Sequence, residues 1–194
     1  MIASVYGYGI NDRKYISNIN NKPVKEYSVW IHMLQRCYSK KWLEKRPTYS
    51  GCYASDNFKK YSYFYEWCND QVGFLSHGFQ IDKDILLKGN KFYCEQLCVF
   101  VPVEINSAII TCKSKRGIHP VGVYFDNNIG LFVSKCSKDG KQVKIGNFDN
   151  HIDAFNAYKC FKENHFKQLA EKYSGLVDPR VCEELYKRKV EIND

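Results

Sequence analysis

The sequence predicts an α+β fold, and three observations lead to it. Residues 117–160 have the spacing of three short strands followed by one helix, with a polar outer sheet face. Residues 26–39 and 56–69 repeat apolar side chains at helical intervals. Residues 79–87 alternate as a half-buried strand does.

In chain order, residues 1–24 carry Tyr, Gly, Asn and Asp without a period and read as an arm or irregular entry. The Gly7 and Gly9 pair lacks the strand, third glycine and helix that a nucleotide loop needs. Val29, Trp30, Met33, Leu34 and Cys37 then define an amphipathic helix over 26–39. Lys40, Lys41, Lys45 and Arg46 follow as a basic patch before Pro47, suited to solvent or to phosphate. Asp56 is the expected N-cap of a second helix running to residue 69, with Phe58, Tyr61, Tyr65 and Cys68 on one face. Glycines at 73 and 78 break that pattern.

The strand over 79–87 leads into a turn at Lys88, Gly89 and Asn90 and a second short strand. Residues 95–110 read as mostly helix, bent near Pro102. Residues 111–119 form a short basic linker and the expected domain boundary. After the three strands, a helix starts near Asn150 and runs toward Tyr173, stopped by Gly175 and Pro179. Asp178 and Pro179 open a last helix with Val181, Leu185 and Val190 on its buried side. The expected division is therefore an arm at 1–24, a first domain at 25–110, a linker at 111–119, a sheet domain at 120–173 and a terminal helix at 174–194.

Composition narrows the partners. The chain has 194 residues, enough for one large domain or two small ones, each with a core. Twenty-nine Lys and Arg against 21 Asp and Glu give a net charge of +8, which favours a polyanion through counterion release. Fifteen Tyr, 12 Phe and three Trp suit either a packed core or contacts with sugars and bases. Nine cysteines is an odd number, no N-terminal signal pattern is present, and no apolar stretch approaches the ~20 residues of a membrane span. These features predict a soluble, reduced, intracellular protein without membrane association. Cys94 and Cys98 are spaced i,i+4 while Cys37, Cys52 and Cys68 are scattered, so the thiols read as structural rather than as zinc ligands.

Within 117–160, the segments Val121-Gly122-Val123, Leu131-Phe132-Val133, Asp139-Gly140-Lys141, Ile145-Gly146-Asn147-Phe148 and Ala154-Phe155-Asn156-Ala157-Tyr158 resemble the AP2-type DNA-binding module. That resemblance implies a three-stranded antiparallel sheet packed on a helix and reading the major groove. Alternation sends Leu131, Val133, Lys135 and Ser137 to one side of the second strand, and leaves Gln142 and Lys144 outward on the third while Val143 and Ile145 face the helix. Tyr124 and Asp126 stand where the family usually has arginines, and Lys144 where it usually has tryptophan, so the family's base preference does not carry over. The expected DNA-binding set is Tyr124, Lys135, Ser137, Lys141, Gln142 and Lys144, joined by Lys115 and Arg116 of the linker. Ala154, Ala157, Tyr158 and Phe161 are the expected inner face of the helix.

Residues 79–106 resemble the small ββα finger of phage and intron homing endonucleases of the HNH type. Asp82-Lys83 falls at the Asp-His pair, Gly89-Asn90 in the loop, Gln96-Leu97 at the helix opening and Asn106 at the last asparagine. Tyr27, Trp30, Met33, Arg36-Cys37-Tyr38, Pro47, Tyr49, Gly51-Cys52 and Trp67 extend the likeness upstream. The general-base histidine is replaced by Lys83, which with an ordinary pKa of ~10.4 is protonated at neutral pH. In a working nuclease Asp82, Lys83, Asp84 and Asn106 would be the catalytic set, with Mg²⁺ held by Asp82, Asp84 and Asn106 on the expectation that the two aspartates share a strand face.

These resemblances imply a sequence-specific double-stranded DNA-binding protein of a phage or mobile element, acting in the bacterial host cytoplasm mainly by occupancy, as a transcriptional repressor does. It needs no cofactor to bind. The alternatives are a Mg²⁺-dependent endonuclease or nickase, and an inhibitor that binds a host enzyme. Homodimerisation through the last helix is one use of its apolar side; capping the sheet domain is the other.

Overall fold

A computed structural model describes residues 4–110 and 118–194. The chain is mixed α+β and divides into two compact units, Met1–Val101 and Pro102–Asp194. Of the expected linker, residues 111–117 lie outside the described residues, and with them Lys115 and Arg116. Among the described residues no helix is long and apolar enough to cross a membrane.

The first unit opens with two small hairpins in place of the expected irregular arm: β1 (Ser4–Val5) with β2 (Gly9–Ile10), and β3 (Asn18–Ile19) with β4 (Lys22–Pro23). Asn20 and Asn21 both take positive φ, 49° and 61°, which a two-residue hairpin of this hand requires and which asparagine tolerates. Helix α1 (Lys25–Tyr38) buries Trp30, Met33, Leu34 and Cys37, the stripe its spacing dictates. A short helix α2 (Lys40–Lys45) follows at once, then a 3₁₀ turn at Pro47–Tyr49.

The expected single helix over 56–69 is two. Its N-cap is Ser55, whose hydroxyl accepts from Phe58 N at 3.1 Å, rather than Asp56. Helix α3 (Asp56–Lys59) stops at Lys60, whose extended backbone forms a bridge with Ile10 of the first hairpin, and α4 (Tyr61–Asn69) restarts beyond it. Trp30, Phe58, Tyr61, Phe64, Phe74 and Phe100, none more than 1% exposed, fill the core of this unit. The Trp30 indole donates to Phe58 O at 2.8 Å, satisfying the one polar atom that such a ring carries inward.

Strand β5 (Tyr53–Ala54) pairs in parallel with β7 (Phe92–Tyr93), and β6 (Phe79–Asp82) neighbours β8 (Val99–Pro102). Two expectations fail in this segment. The strand ends at Asp82 instead of continuing to 87, because the Asp82 carboxylate accepts from Asp84 N at 2.9 Å and Ile85 N at 2.7 Å and curls the chain into a turn. Residues 95–102 are a turn and a buried strand, not helix; only α5 (Val103–Ile109) is helical. The run Val99–Pro102 is buried at every position, a pattern that periodicity alone leaves undecided between strand and helix.

In the second unit β9 (Val123–Asp126), β10 (Leu131–Lys138) and β11 (Lys141–Phe148) form an antiparallel sheet in the order β11-β10-β9, and α6 (His151–Lys172) lies on it. Asp139 and Gly140 turn β10 into β11 with both φ positive, 53° and 72°. Asn150 caps α6, its side-chain oxygen accepting from Ile152 N and Asp153 N. Of the expected inner helix face, Ala154 and Tyr158 are buried while Ala157 and Phe161 are half-buried. Helix α7 (Pro179–Lys187), capped by Asp178, packs against α6. Val181, Leu185 and Val190 are buried within the chain, so the apolar side considered for dimerisation is already used.

Candidate nucleic-acid interface

Register decides which side chains share the open face of the sheet, since directly opposed residues project to the same side. Lys135 stands opposite Lys144, Ser137 opposite Gln142, and Val133 opposite both Tyr124 and Asn147. Lys135, Ser137, Gln142, Lys144 and Tyr124 therefore form one surface, as expected. The Lys135 ammonium lies 4.7 Å from the centre of the Tyr124 ring, and Gln142 Nε2 donates to the Ser137 hydroxyl. Neither Lys135 nor Lys144 forms an ion pair with a described residue. Two ammonium groups opposed across a ladder repel one another, and an anion relieves that repulsion.

Two residues, Lys141 and Asn147, change place relative to expectation. Lys141 is opposite Lys138, which shares the helix side of the sheet with Cys136 and Val143 and donates to Gln168 of α6 at 2.8 Å. Lys141 is exposed at the hairpin tip but stands out of the Lys135–Lys144 row. Asp126 accepts from Asn128 N at 3.0 Å and serves the β9–β10 turn. Asn147, absent from the expected set, joins it because the ladder shifts register between Ser134 and Lys135, leaving Ile145 as an extra residue in β11. The shift reverses the parity of everything after Ile145, sending Asn147 outward and Phe148 across from Phe132 on the helix side. Gly146, an in-strand glycine, was the only sequence signal for it.

The other expected site draws mainly on the first unit. Asp82 and Lys83 are buried in the first unit, at 7% and 6% exposure, and Asp84 is beyond the end of the strand rather than two positions along it. Burial, then the neighbouring Asp84, pushes the Asp82 carboxyl above its usual range, opposed by the two backbone N–H donors. Lys83 Nζ donates to Asp84 Oδ2 at 2.8 Å and to Asn90 O at 2.6 Å. Asn90 answers with its amide to Lys83 O at 2.7 Å and to Phe92 O at 2.7 Å, and accepts from Phe92 N at 2.9 Å. Asn106 belongs to the second unit, on α5.

One Asp82 oxygen caps backbone and one Asp84 oxygen holds an ammonium. Among the described residues, no three His, Cys, Asp or Glu side chains converge as a metal-holding group. The expected pair of aspartates on one strand face is not formed, since the strand ends at Asp82. Burial pushes the Cys37 thiol up to about 12 and raises Cys52, Cys68 and Cys98 as well, so these cysteines behave as core residues.

No known protein family, curated protein or solved structure matches this chain.

Proposed function

We propose that this chain is a sequence-specific double-stranded DNA-binding protein whose three-stranded sheet enters the major groove in the AP2 manner and which acts by occupancy. The observation that carries the reading is Lys135 and Lys144 opposed on an exposed sheet face, without an ion pair to any described residue and flanked by Tyr124, Gln142, Ser137 and Asn147. The lysines supply phosphate charge, and the amides and hydroxyls supply hydrogen bonds to base edges. A three-stranded sheet backed by one long helix presents such a row as a rigid ridge. Phage or mobile-element origin, action as a repressor and residence in a bacterial cytoplasm belong to this same reading.

An HNH-derived ancestry for residues 79–106 fits it, with the finger retained for shape. Lys83 in the place of a base, engaged by Asp84 and Asn90, supports binding over cleavage. The test is selection of duplexes from a random pool at low salt, followed by incubation of supercoiled plasmid carrying the selected site with Mg²⁺ or Mn²⁺ and with EDTA. Enrichment of one sequence without nicking is expected. Failure to retain any duplex would remove the DNA reading, and metal-dependent nicking by the wild-type chain would replace occupancy with cleavage.

A further inference from the structure

Six lysines of the first unit are engaged by carboxylates or backbone carbonyls. Lys14 pairs with Glu66, Lys59 with Asp56, Lys60 with Asp12 and Lys83 with Asp84. Lys25 donates to the carbonyl of Phe74 and Lys91 to that of Thr48. Against this background, Lys40, Lys41, Lys45 and Arg46 stand out. All four are exposed, and none forms an ion pair with a described residue.

They are crowded onto α2 and its C-terminal cap, where Glu44 is the one carboxylate. Lys41 and Lys45 are four apart and so share a face, an arrangement that destabilises a helix through like-charge repulsion. A six-residue helix has little stability of its own. This one is held at its start by the Ser39 hydroxyl, which accepts from Trp42 N at 3.4 Å, and no residue in it is fully buried. Its contribution to the core is small and its concentration of charge is large. No described residue forms an ion pair with these four cations, so an external anion or solvent balances their charge.

We infer that α2 is a second, sequence-neutral DNA contact, in which Lys40, Lys41, Lys45 and Arg46 bind the phosphate backbone. This rests on the DNA-binding reading above. Flexible lysines on an exposed helix make point-charge contacts that add affinity without selecting bases. The sheet row then supplies selection, and α2 supplies most of the salt-dependent affinity.

The test compares three full-length chains: wild type, the α2 variant K40A/K41A/K45A/R46A, and K135A/K144A. Each is titrated with salt on a long duplex carrying the selected site and on one of the same length without it. Alanine preserves helix propensity, and unchanged thermal unfolding of the α2 variant checks that it folds. Four phosphate contacts at about 0.9 each give a log–log salt slope shallower by about 3.6, equal to a roughly 150-fold smaller loss of affinity between about 50 and 200 mM salt. The difference should appear on both duplexes, with base preference unchanged. If the α2 variant keeps the wild-type slope and footprint while K135A/K144A loses binding, the inference falls and the sheet reading stands. If the α2 substitutions abolish binding to RNA or to anionic vesicles and leave duplex binding intact, the surface serves another partner and the inference is overturned. A wild-type chain that binds no duplex removes both.

Discussion

Gly122 precedes β9 with φ +77°, and a Cβ built on it would lie 2.1 Å from Cδ2 and 2.4 Å from Cε2 of Tyr158, the buried aromatic of α6. The glycine is there because the helix's ring occupies the space where a side chain would be. Gly122→Ala therefore incurs two costs: the left-handed backbone, about 1–2 kcal/mol for a residue with a Cβ, and overpacking against a stiff ring, about 1–3 kcal/mol. Gly130→Ala is the control, since Gly130 has φ +68° but no atom within 4 Å of the built Cβ. It incurs the first cost alone. Native-state hydrogen exchange of α6 amides isolates the sheet–helix unit from the rest of the chain. The second cost should open α6 about 5- to 150-fold more often in Gly122→Ala than in Gly130→Ala. Equal protection in the two variants would mean that the ring does not seat on the entry to β9, and the packing that fixes the sheet's open face would have to be redrawn.

Lys144→Ala should weaken duplex binding and reduce the salt slope by about 0.9, while Gln142→Ala and Asn147→Ala should shift the selected sequence at an unchanged slope; selection from a random pool and salt titration read the two effects separately. Asn90→Ala removes three hydrogen bonds that tie residues 83 and 92 together and should cost about 2–4 kcal/mol in chemical denaturation of the first unit. His165 is buried under the sheet with Nδ1 lacking a partner among the described residues, and burial, then Lys162 and Lys138, hold its imidazole below the ordinary value near 6.5. Its neutral form is the folded one, so its contribution is fully present above pH 6.5 and is lost as pH falls through the lower folded value. Acid unfolding of the second unit should become less steep in His165→Gln, followed by circular dichroism from pH 7 downward.

Expectation and structure diverge according to how local the determinants are. The sheet unit is written in short-range signals: alternation, Asp139-Gly140 at a two-residue hairpin, Asn150 as an N-cap, and Asp178 before Pro179. The first unit is governed by contacts that sequence spacing cannot show. Lys60 interrupts an otherwise continuous helical pattern because its backbone pairs with Ile10, 50 positions earlier. Asp82 ends a strand because its own carboxylate competes for backbone N–H groups, a choice open to any aspartate and taken here. The division between units falls at Val101, inside an apolar run that carries no glycine or polar punctuation.

The candidate interface was legible up to one residue. Alternation alone places Lys135, Ser137, Gln142 and Lys144 together, because those four lie on the hairpin side of the irregularity and a two-residue turn fixes their register. Past Ile145 the same rule fails, and it fails in a consequential direction. A regular β11 would have turned Gly146 outward opposite Val133; the extra residue puts a carboxamide there and carries the polar row past the irregularity. Bulges twist a strand as well as shifting its parity. Ile145 thus sets both which amide meets the groove and how the strand follows it, so deleting this residue would test the shape of the reading surface independently of its charge.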